Sequence, residues 1–251
     1  MRAYPMAGAA ALALVLAACG GGGGNNLVAN GGGLAPSAPL KQTRAPNNGD
    51  WTQIVTATET GYRLGNPNAP VRLVEYGSIS CHHCAEFSRG AGPLTSQYVK
   101  SGQVSWEYRP HMLFPTDPGI FALLQCRGAE PYFSLVEQLY ADQDAWLSQV
   151  QQYAQANGPA LEAMDGPQRA AALVRGAGLD QFFRQRGMPQ AQIDSCLANE
   201  QNLRRIAELT QRGTQENGVN GTPTFLINDT KLENVGSWEQ LEPMLRAQMG
   251  G

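Results

Sequence analysis

The distribution of apolar positions predicts a sheet whose strands are separated by a long helical stretch. Residues 71–76 form a run dense in β-forming side chains, which is typical of a buried central strand. Residues 104–108 alternate between apolar and polar side chains, as a half-buried strand does. Near the C-terminus, residues 224–227 and 231–235 flank a pair of turn-forming residues and predict a closing β-hairpin.

Helical spacing of the apolar residues appears on both sides of the second strand. A helix is predicted from Cys81 to about Val99, with a kink or break where Gly90, Gly92 and Pro93 interrupt it. This places a helix directly after the predicted central strand.

The segment after the second strand is predicted to be entirely helical over about 85 residues, 116–200. Asp117 is predicted to cap its first helix, with Pro118 in the first turn, and Pro131 to begin the next. Ser237 is predicted to cap a last helix after the hairpin. Further helices, several bounded by Gly or Pro, are predicted at 148–156, 167–176, 179–186 and 190–216.

The sequence Cys81-His82-His83-Cys84 lies where the predicted central strand gives way to a helix. Two thiols at this spacing indicate either a redox site or half of a metal site. The positive end of the helix dipole favours a thiolate at Cys81, which we expect to be the exposed nucleophile. Cys84, one turn further in, would be the resolving thiol. His82 and His83 could each donate a hydrogen bond or hold charge near the thiolate, although His82 could equally be a solvated surface residue.

The chain resembles the DsbA-type thiol oxidoreductases, which are thioredoxin-like proteins of the bacterial cell envelope. The resemblance extends over roughly residues 61–249 and rests on the CxxC motif, the strand before it and Gly-Thr-Pro at 221–223. It implies an α/β, thioredoxin-like fold with an inserted all-helical domain. His83 matches the usual histidine of that family, whereas His82 stands where proline is common.

The resemblance also assigns roles to three residues outside the motif. Thr222-Pro223 would form a cis peptide facing the two cysteines, leaving the Thr222 backbone free to pair with an extended substrate segment. The alternative is an ordinary trans proline that opens a strand. Glu75 would be a buried acid beneath Cys84, with a raised pKa, that relays a proton. The alternative is a strand glutamate that reaches solvent.

The N-terminus predicts an exported, lipid-anchored protein. Residues 1–18 have the pattern of a signal peptide, and Cys19 follows a lipobox-like sequence that makes it the expected lipidation site. An ordinary signal peptide with an incidental cysteine is the alternative. Gly20 is not Asp, and by resemblance to known lipoprotein sorting rules this implies no inner-membrane retention, so the outer membrane is favoured. The Gly-rich and Asn-rich stretch that follows predicts a flexible tether.

Cys126 and Cys196 remain after these assignments, and an exported chain meets oxidising conditions. A structural disulfide inside the helical domain is predicted, and two separate buried thiols are the alternative.

The net charge of −3 gives no case for nucleic-acid binding. The predicted segments are a signal peptide at 1–18, a tether at 19–50, two thioredoxin-like parts at 51–115 and 201–251, and the helical insert at 116–200.

The leading functional hypothesis is an envelope thiol:disulfide oxidoreductase, mainly an oxidase that introduces disulfides into exported proteins. The expected partners are cysteine-containing exported proteins, a DsbB-like membrane quinone reductase for reoxidation and the membrane itself; the protein is expected to be monomeric and to need no cofactor. A reductase or isomerase is the nearest alternative. Copper or zinc handling by the CxxC segment, or a binding lipoprotein with a vestigial site, are alternatives of other classes.

Overall fold

The computed structural model describes residues 39–249; the predictions for residues 1–18, for Cys19 and for tether residues 19–38 lie outside this range. The strands are β1 (Val55–Ala57), β2 (Tyr62–Gly65), β3 (Val71–Gly77), β4 (Val104–Pro110), β5 (Thr224–Ile227) and β6 (Thr230–Lys231). The helices are α1 (His82–Gly90), α2 (Asp117–Arg127), α3 (Tyr132–Ala141), α4 (Gln143–Ala156), α5 (Gly158–Glu162), α6 (Gly166–Gly176), α7 (Leu179–Gln185), α8 (Gln190–Leu197), α9 (Glu200–Asn217) and α10 (Trp238–Gln248). No helix within residues 39–249 combines the length and apolar character that a membrane crossing needs.

The strands form one mixed sheet in the order β1-β2-β4-β3-β5-β6. Strand β3 runs parallel to β4 and antiparallel to β5, so it is central, as predicted. Its side chains Val71 and Leu73 are fully buried. Because β3 and β4 run in the same direction, the loops that follow them leave the same edge of the sheet. That edge carries α1 and the two cysteines.

Strands β1 and β2 were not predicted from the sequence. Strand β1 has three residues, two of them exposed, and pairs with β2 alone. Strand β2 has four residues and is joined to β4, with Tyr62 opposite Tyr108. Such short segments carry too few alternating positions to be recognised by period, and they are held by their neighbours in the sheet.

The break predicted after α1 is present, because α1 ends at Gly90 and a separate π-helical segment, Leu94–Val99, follows it. The predicted helix 190–216 is wrong in one respect: the chain forms two helices, α8 and α9. The side chain of Asn199 accepts a hydrogen bond from the backbone N–H of Asn202 and so starts α9 afresh.

The second strand of the closing hairpin is shorter than predicted. Strand β6 ends at Lys231, and the chain then leaves the sheet. Asn234 has a positive φ of 59°, which is incompatible with a continuing strand. Ser237 does cap α10, in a capping box with Gln240.

The folded region begins earlier than the predicted tether boundary at residue 50. The backbone N–H of Thr43 donates to the carbonyl oxygen of Ser101 at 2.7 Å, and the indole of Trp51 donates to the carbonyl oxygen of Thr43 at 2.8 Å. Ala45 is buried. The predicted tether therefore extends too far. The indole N–H of buried Trp51 needs a hydrogen-bond acceptor, and the carbonyl of Thr43 supplies it, so the residues before Trp51 pack against the folded region.

Helices α2–α8 lie between β4 and α9, and the predicted disulfide joins two of them. Cys126 near the end of α2 is bonded to Cys196 near the end of α8, with their Cα atoms 6.3 Å apart. The predicted disulfide is thus confirmed, and the alternative of two separate buried thiols is wrong. The bond closes a loop with a sequence separation of 70 residues within the insert.

Candidate active site

Cys81 lies at the N-terminus of α1 because a tight turn joins β3 to that helix. The backbone N–H of Cys81 donates to the carbonyl oxygen of Ser78 at 3.1 Å, which closes the turn. Cys81 has the extended backbone of an N-cap residue, with φ of −86° and ψ of 122°. Its carbonyl oxygen accepts the first hydrogen bond of the helix, from Ala85. The sulfur therefore lies at the positive end of the helix dipole.

The two cysteines of the motif, which are unbonded, have different environments. Cys81 is 7% exposed and Cys84 is completely buried. A hydrogen bond from the Cys84 thiol is the largest effect that lowers the pKa of Cys81, to about 5, and the backbone N–H groups of Cys84 and His83 add to it. Burial raises the pKa of Cys84 well above its ordinary value. The two environments favour a thiolate at Cys81 and a thiol at Cys84. The expectation that the Cys81 sulfur is exposed is wrong, because the carbonyl oxygen of Thr222 lies 3.2 Å from it and the residue is buried.

Thr222 and Pro223 face the cysteines across the site. Their peptide bond is cis, as predicted. The Cys81 thiol lies 3.2 Å from the carbonyl oxygen of Thr222, to which it donates when protonated. The Thr222 hydroxyl is buried and lacks a partner of good geometry within residues 39–249, yet it lies close enough to lower the pKa of Cys81. The carbonyl oxygen of Thr222 is therefore its direct contact with the Cys81 sulfur.

The two histidines share one carboxylate that the sequence analysis missed. Nδ1 of His83 lies 2.8 Å from one oxygen of Glu86, and Nε2 of His82 lies 3.2 Å from the other. All three side chains are largely exposed. Glu86 is the main cause that raises the pKa of His83. Its spacing of three and four residues from the histidines on a helix is a signal that could have revealed the cluster.

Glu75 is buried in the central strand, so the alternative in which it reaches solvent is wrong. It is 1% exposed, and one carboxylate oxygen accepts a hydrogen bond from the indole N–H of Trp106 at 3.1 Å. Burial raises the pKa of Glu75 to about 8. Glu75 also contributes to the raised pKa of Cys84. It is therefore a protonated acid near the buried cysteine at neutral pH, and its role as a relay stays a prediction.

Asp117 is not the cap of α2, which corrects the sequence prediction. The N-cap position belongs to Thr116, and Asp117 is the first helical residue, with no exposed surface. Its carboxylate accepts hydrogen bonds from the Ser78 hydroxyl at 2.8 Å and from the backbone N–H of Ser80 at 3.1 Å. It also accepts from two backbone N–H groups of the loop after β4, residues 113–114. Asp117 thus ties the helical insert to the turn that carries Cys81.

A groove of about 800 Å³ runs beside the cis-proline loop. The hairpin β5–β6 and the segment after it form its far wall. Polar groups predominate in the lining, which consists of His83, Gly218, Asn220, Gly221, Thr222, Pro223, Thr224, Lys231, Leu232, Glu233, Asn234, Val235 and Gly236. The groove is open to solvent, and Thr222 is part of its lining.

Fold and site together define a thioredoxin-like protein with a helical insert and a CxxC dithiol opposite a cis-proline. A family model described as "Thioredoxin" matches residues 57–247, and the chain belongs to that family. The predicted resemblance and fold class are confirmed. The sequence is 22% identical over 172 residues to a Rickettsia bellii protein whose name assigns it provisionally to the protein-disulfide oxidoreductases. The match covers 68% of this chain and 58% of that protein, so the chain spans less than two thirds of the curated relative.

Two solved structures share this architecture. A protein-disulfide isomerase from Novosphingobium aromaticivorans has a TM-score of 0.71 and 27% identity, covering 75% of this chain and 97% of that one. The alpha-DsbA1 protein of Wolbachia pipientis has a TM-score of 0.59 and 18% identity, covering 75% of this chain and 90% of that one. The second likeness shows the fold alone.

Proposed function

We propose that this protein is a thiol:disulfide oxidoreductase that acts through the Cys81–Cys84 pair, chiefly as an oxidase of exported proteins. The observation that carries the proposal is the asymmetry of the pair. One cysteine has its pKa lowered to about 5 at a helix N-terminus, and the other is buried with a raised pKa. Stabilising the thiolate stabilises the reduced site, which makes the disulfide a stronger oxidant, a relation that DsbA itself illustrates.

In the proposed reaction the site begins as a disulfide. A substrate thiolate attacks Sγ of Cys81, the bond to Cys84 breaks, and Cys84 leaves with the electron pair. The substrate's second thiolate then attacks the substrate sulfur of the mixed disulfide, and Cys81 leaves as a thiolate. The substrate gains a disulfide and the site gains two electrons. The low pKa of Cys81 suits it to be the leaving group of the second step.

Glu75 and Thr222 have supporting parts in this proposal. The leaving sulfur of Cys84 has a raised pKa and needs a proton, which the neutral carboxyl of Glu75 can supply. The carbonyl of Thr222 accepts a backbone hydrogen bond from an extended substrate segment, in the manner of strand addition. His83, whose pKa is raised mainly by Glu86 and also by the Cys81 thiolate, favours negative charge at Cys81 in return.

A second candidate function is disulfide isomerisation. It is favoured by the likeness to the Novosphingobium protein, which is named an isomerase. An isomerase attacks wrong disulfides with a reduced Cys81, so it requires a site that is kept reduced. Oxidation requires a site kept oxidised, for which we propose a DsbB-like membrane quinone reductase as partner.

The proposed location is the periplasmic face of the cell envelope. The supporting features are the signal-peptide pattern of residues 1–18 and the lipobox-like position of Cys19. Mass spectrometry of the N-terminal peptide tests the anchor: a diacylglycerol on Cys19 supports it, and an unmodified thiol or a different cleavage site contradicts it.

The decisive experiment for the function is the reduction potential of the Cys81–Cys84 pair in glutathione buffers. A potential well above that of the glutathione couple supports the oxidase. A potential near that of thioredoxin contradicts the oxidase and indicates a reductase. Refolding of a ribonuclease with scrambled disulfides then tests the isomerase: recovery of ribonuclease activity by the reduced protein alone favours isomerisation.

A further inference from the structure

The turn that presents Cys81 is held by side chains of the helical insert. Both carboxylate oxygens of Asp117 accept hydrogen bonds from residues of the turn, Ser78 and Ser80. The hydroxyl of Tyr140, on α3, donates to the carbonyl oxygen of Ser78 at 3.1 Å. The sheet and α1 fix the two ends of the turn, and the insert fixes its middle.

Among these insert side chains, Gln143 is the one that contacts Cys81 itself. Its side-chain nitrogen lies 2.7 Å from the carbonyl oxygen of Ile79 and 2.9 Å from that of Cys81. Gln143 is the first residue of α4 and is 1% exposed. It therefore reaches the backbone of Cys81 from a helix that lies outside the thioredoxin-like sheet.

The orientation of the Gln143 amide follows from its partners. Both partners are carbonyl oxygens, which only the NH₂ end of the amide can satisfy. Turning the amide over would set its oxygen against two other oxygens. In the observed orientation Oε1 is buried and has no hydrogen-bond partner within residues 39–249. An unpaired buried acceptor is unfavourable, so the two donated hydrogen bonds are what offset the burial of this amide.

The two donors act on the part of Cys81 that sets the position of its sulfur. Cys81 is an extended N-cap residue, and in this backbone orientation its Sγ lies near the N–H groups of His83 and Cys84. The carbonyl of Cys81 is shared between Ala85 of the helix and Gln143 of the insert. If an apolar side chain replaced Gln143, the carbonyl oxygen of Ile79 would be buried without this hydrogen-bond donor. The turn would then be free to relax.

We propose that Gln143 is a positioning residue, through which the helical insert holds the Cys81 backbone in the orientation that keeps its sulfur reactive. Gln143 acts through Cys81 and contacts no reacting atom. The proposal rests on the proposed function for its consequence in catalysis, but the positioning itself can be measured on the reduced protein without a substrate.

The test is the pH dependence of alkylation of Cys81 by iodoacetamide, followed by mass spectrometry on the full chain. Gln143→Met removes both donors without adding charge and keeps the length of the side chain. We expect the midpoint for Cys81 to rise by about one pH unit, which corresponds to an about tenfold slower reaction below the midpoint. Gln143→Glu should raise the midpoint less, because burial beside two carbonyl oxygens keeps its carboxyl protonated, and that O–H retains one of the two donors.

Gln151→Glu is the matched control, because Gln151 is exposed on the same helix and accepts the same change. Its alkylation profile should equal that of the wild type. The proposal is overturned if Gln143→Met, folded by circular dichroism, alkylates with the wild-type profile. It is also overturned if Gln143→Glu alone shifts the midpoint, since the effect would then be one of charge. Should Gln143→Glu not fold, Gln143→Met decides.

Failure of this proposal is distinguishable from failure of the proposed function. Oxidation of a peptide dithiol by the wild-type protein tests the function and does not enter the alkylation measurement. If the wild type oxidises no peptide but the Gln143 variants show the expected alkylation shifts, the positioning role is supported and the oxidase proposal is contradicted. If the wild type is active but the Gln143 variants show no shift, the oxidase proposal is supported and the positioning role is contradicted.

Discussion

Cys81 and Thr222 meet across the site with 3.2 Å between the sulfur and the carbonyl oxygen, although 141 residues separate them in sequence. Strand β5, which begins just after the cis-proline, pairs with β3, which leads to Cys81. The sheet therefore sets the distance between the nucleophile and the loop proposed to bind substrate. A change at Thr222 should act on Cys81 directly.

Thr222→Val is expected to raise the pKa of Cys81. Valine keeps the shape of threonine but removes the hydroxyl, which lies near Cys81 and lowers its pKa. One hydrogen bond to a thiolate corresponds to a shift of about one pH unit. The thiolate absorbance at 240 nm, followed against pH, measures the shift. Thr230→Val, at an exposed position of β6, is the control and should leave the titration unchanged.

An unchanged Cys81 titration in Thr222→Val would mean that the hydroxyl does not reach the thiolate. The carbonyl of Thr222 would then be its only contact with the nucleophile. A rise in pKa should be accompanied by a lower reduction potential, because the reduced site loses stability relative to the disulfide.

Glu75→Gln is expected to change how stability depends on pH. Burial raises the pKa of Glu75 from 4.5 to about 8, so the folded protein holds this proton more tightly than the unfolded chain. The resulting stability is complete below pH about 4.5 and is lost as pH rises through about 8. The free energy of unfolding of Glu75→Gln minus that of the wild type should therefore increase as the pH rises from 5 to 8, by on the order of several kcal/mol.

Urea unfolding of both reduced proteins at each pH measures this difference. The lowered pKa of Cys81 has the opposite effect on stability, but it is common to both proteins and largely cancels in the comparison. Glu208→Gln, on the exposed face of α9, should run parallel to the wild type. A constant difference between Glu75→Gln and the wild type across this range would contradict a raised pKa at Glu75.

The sequence predicted the parts of the site that local pattern or resemblance can reveal. Cys81 and Cys84 lie on the strand-to-helix turn as predicted, and the peptide before Pro223 is cis. The burial of Glu75 was implied by the resemblance, and the structure bears it out. In each case the relevant neighbours are close in the chain or belong to a motif with a known geometry.

The parts that escaped prediction depend on distant packing. Gln143 lies 62 residues from Cys81 and opens a helix of ordinary composition, so nothing local marks it. Asp117 has the sequence signature of a helix cap, but its carboxylate bonds to a turn 37–39 residues away. Strand β1 has only three residues, too few to show a period, and it is held by its pairing with β2. Tertiary contacts override local preference at these positions.

Glu86→Gln is expected to lower the pKa of His83. The Glu86 carboxylate contacts Nδ1 of His83 at 2.8 Å and is the main cause of its raised pKa. Removing the charge should bring the His83 titration back toward its ordinary range. NMR of the imidazole protons against pH measures it, and the buried His111 supplies an internal reference that should not move. A His83 titration that is the same in both proteins would mean that the contact does not persist in solution.

The Cys126–Cys196 bond is expected to stabilise the insert without tuning the redox site. It closes a loop with a sequence separation of 70 residues, for which the chain-entropy treatment gives about 4 kcal/mol. Replacing both cysteines by serine should lower the free energy of unfolding by about that amount. The alkylation profile of Cys81 should stay unchanged while the protein remains folded, because the turn is held by Asp117, Tyr140 and Gln143, none of which is part of the disulfide. A shifted Cys81 profile in the folded double variant would instead couple the disulfide to the site.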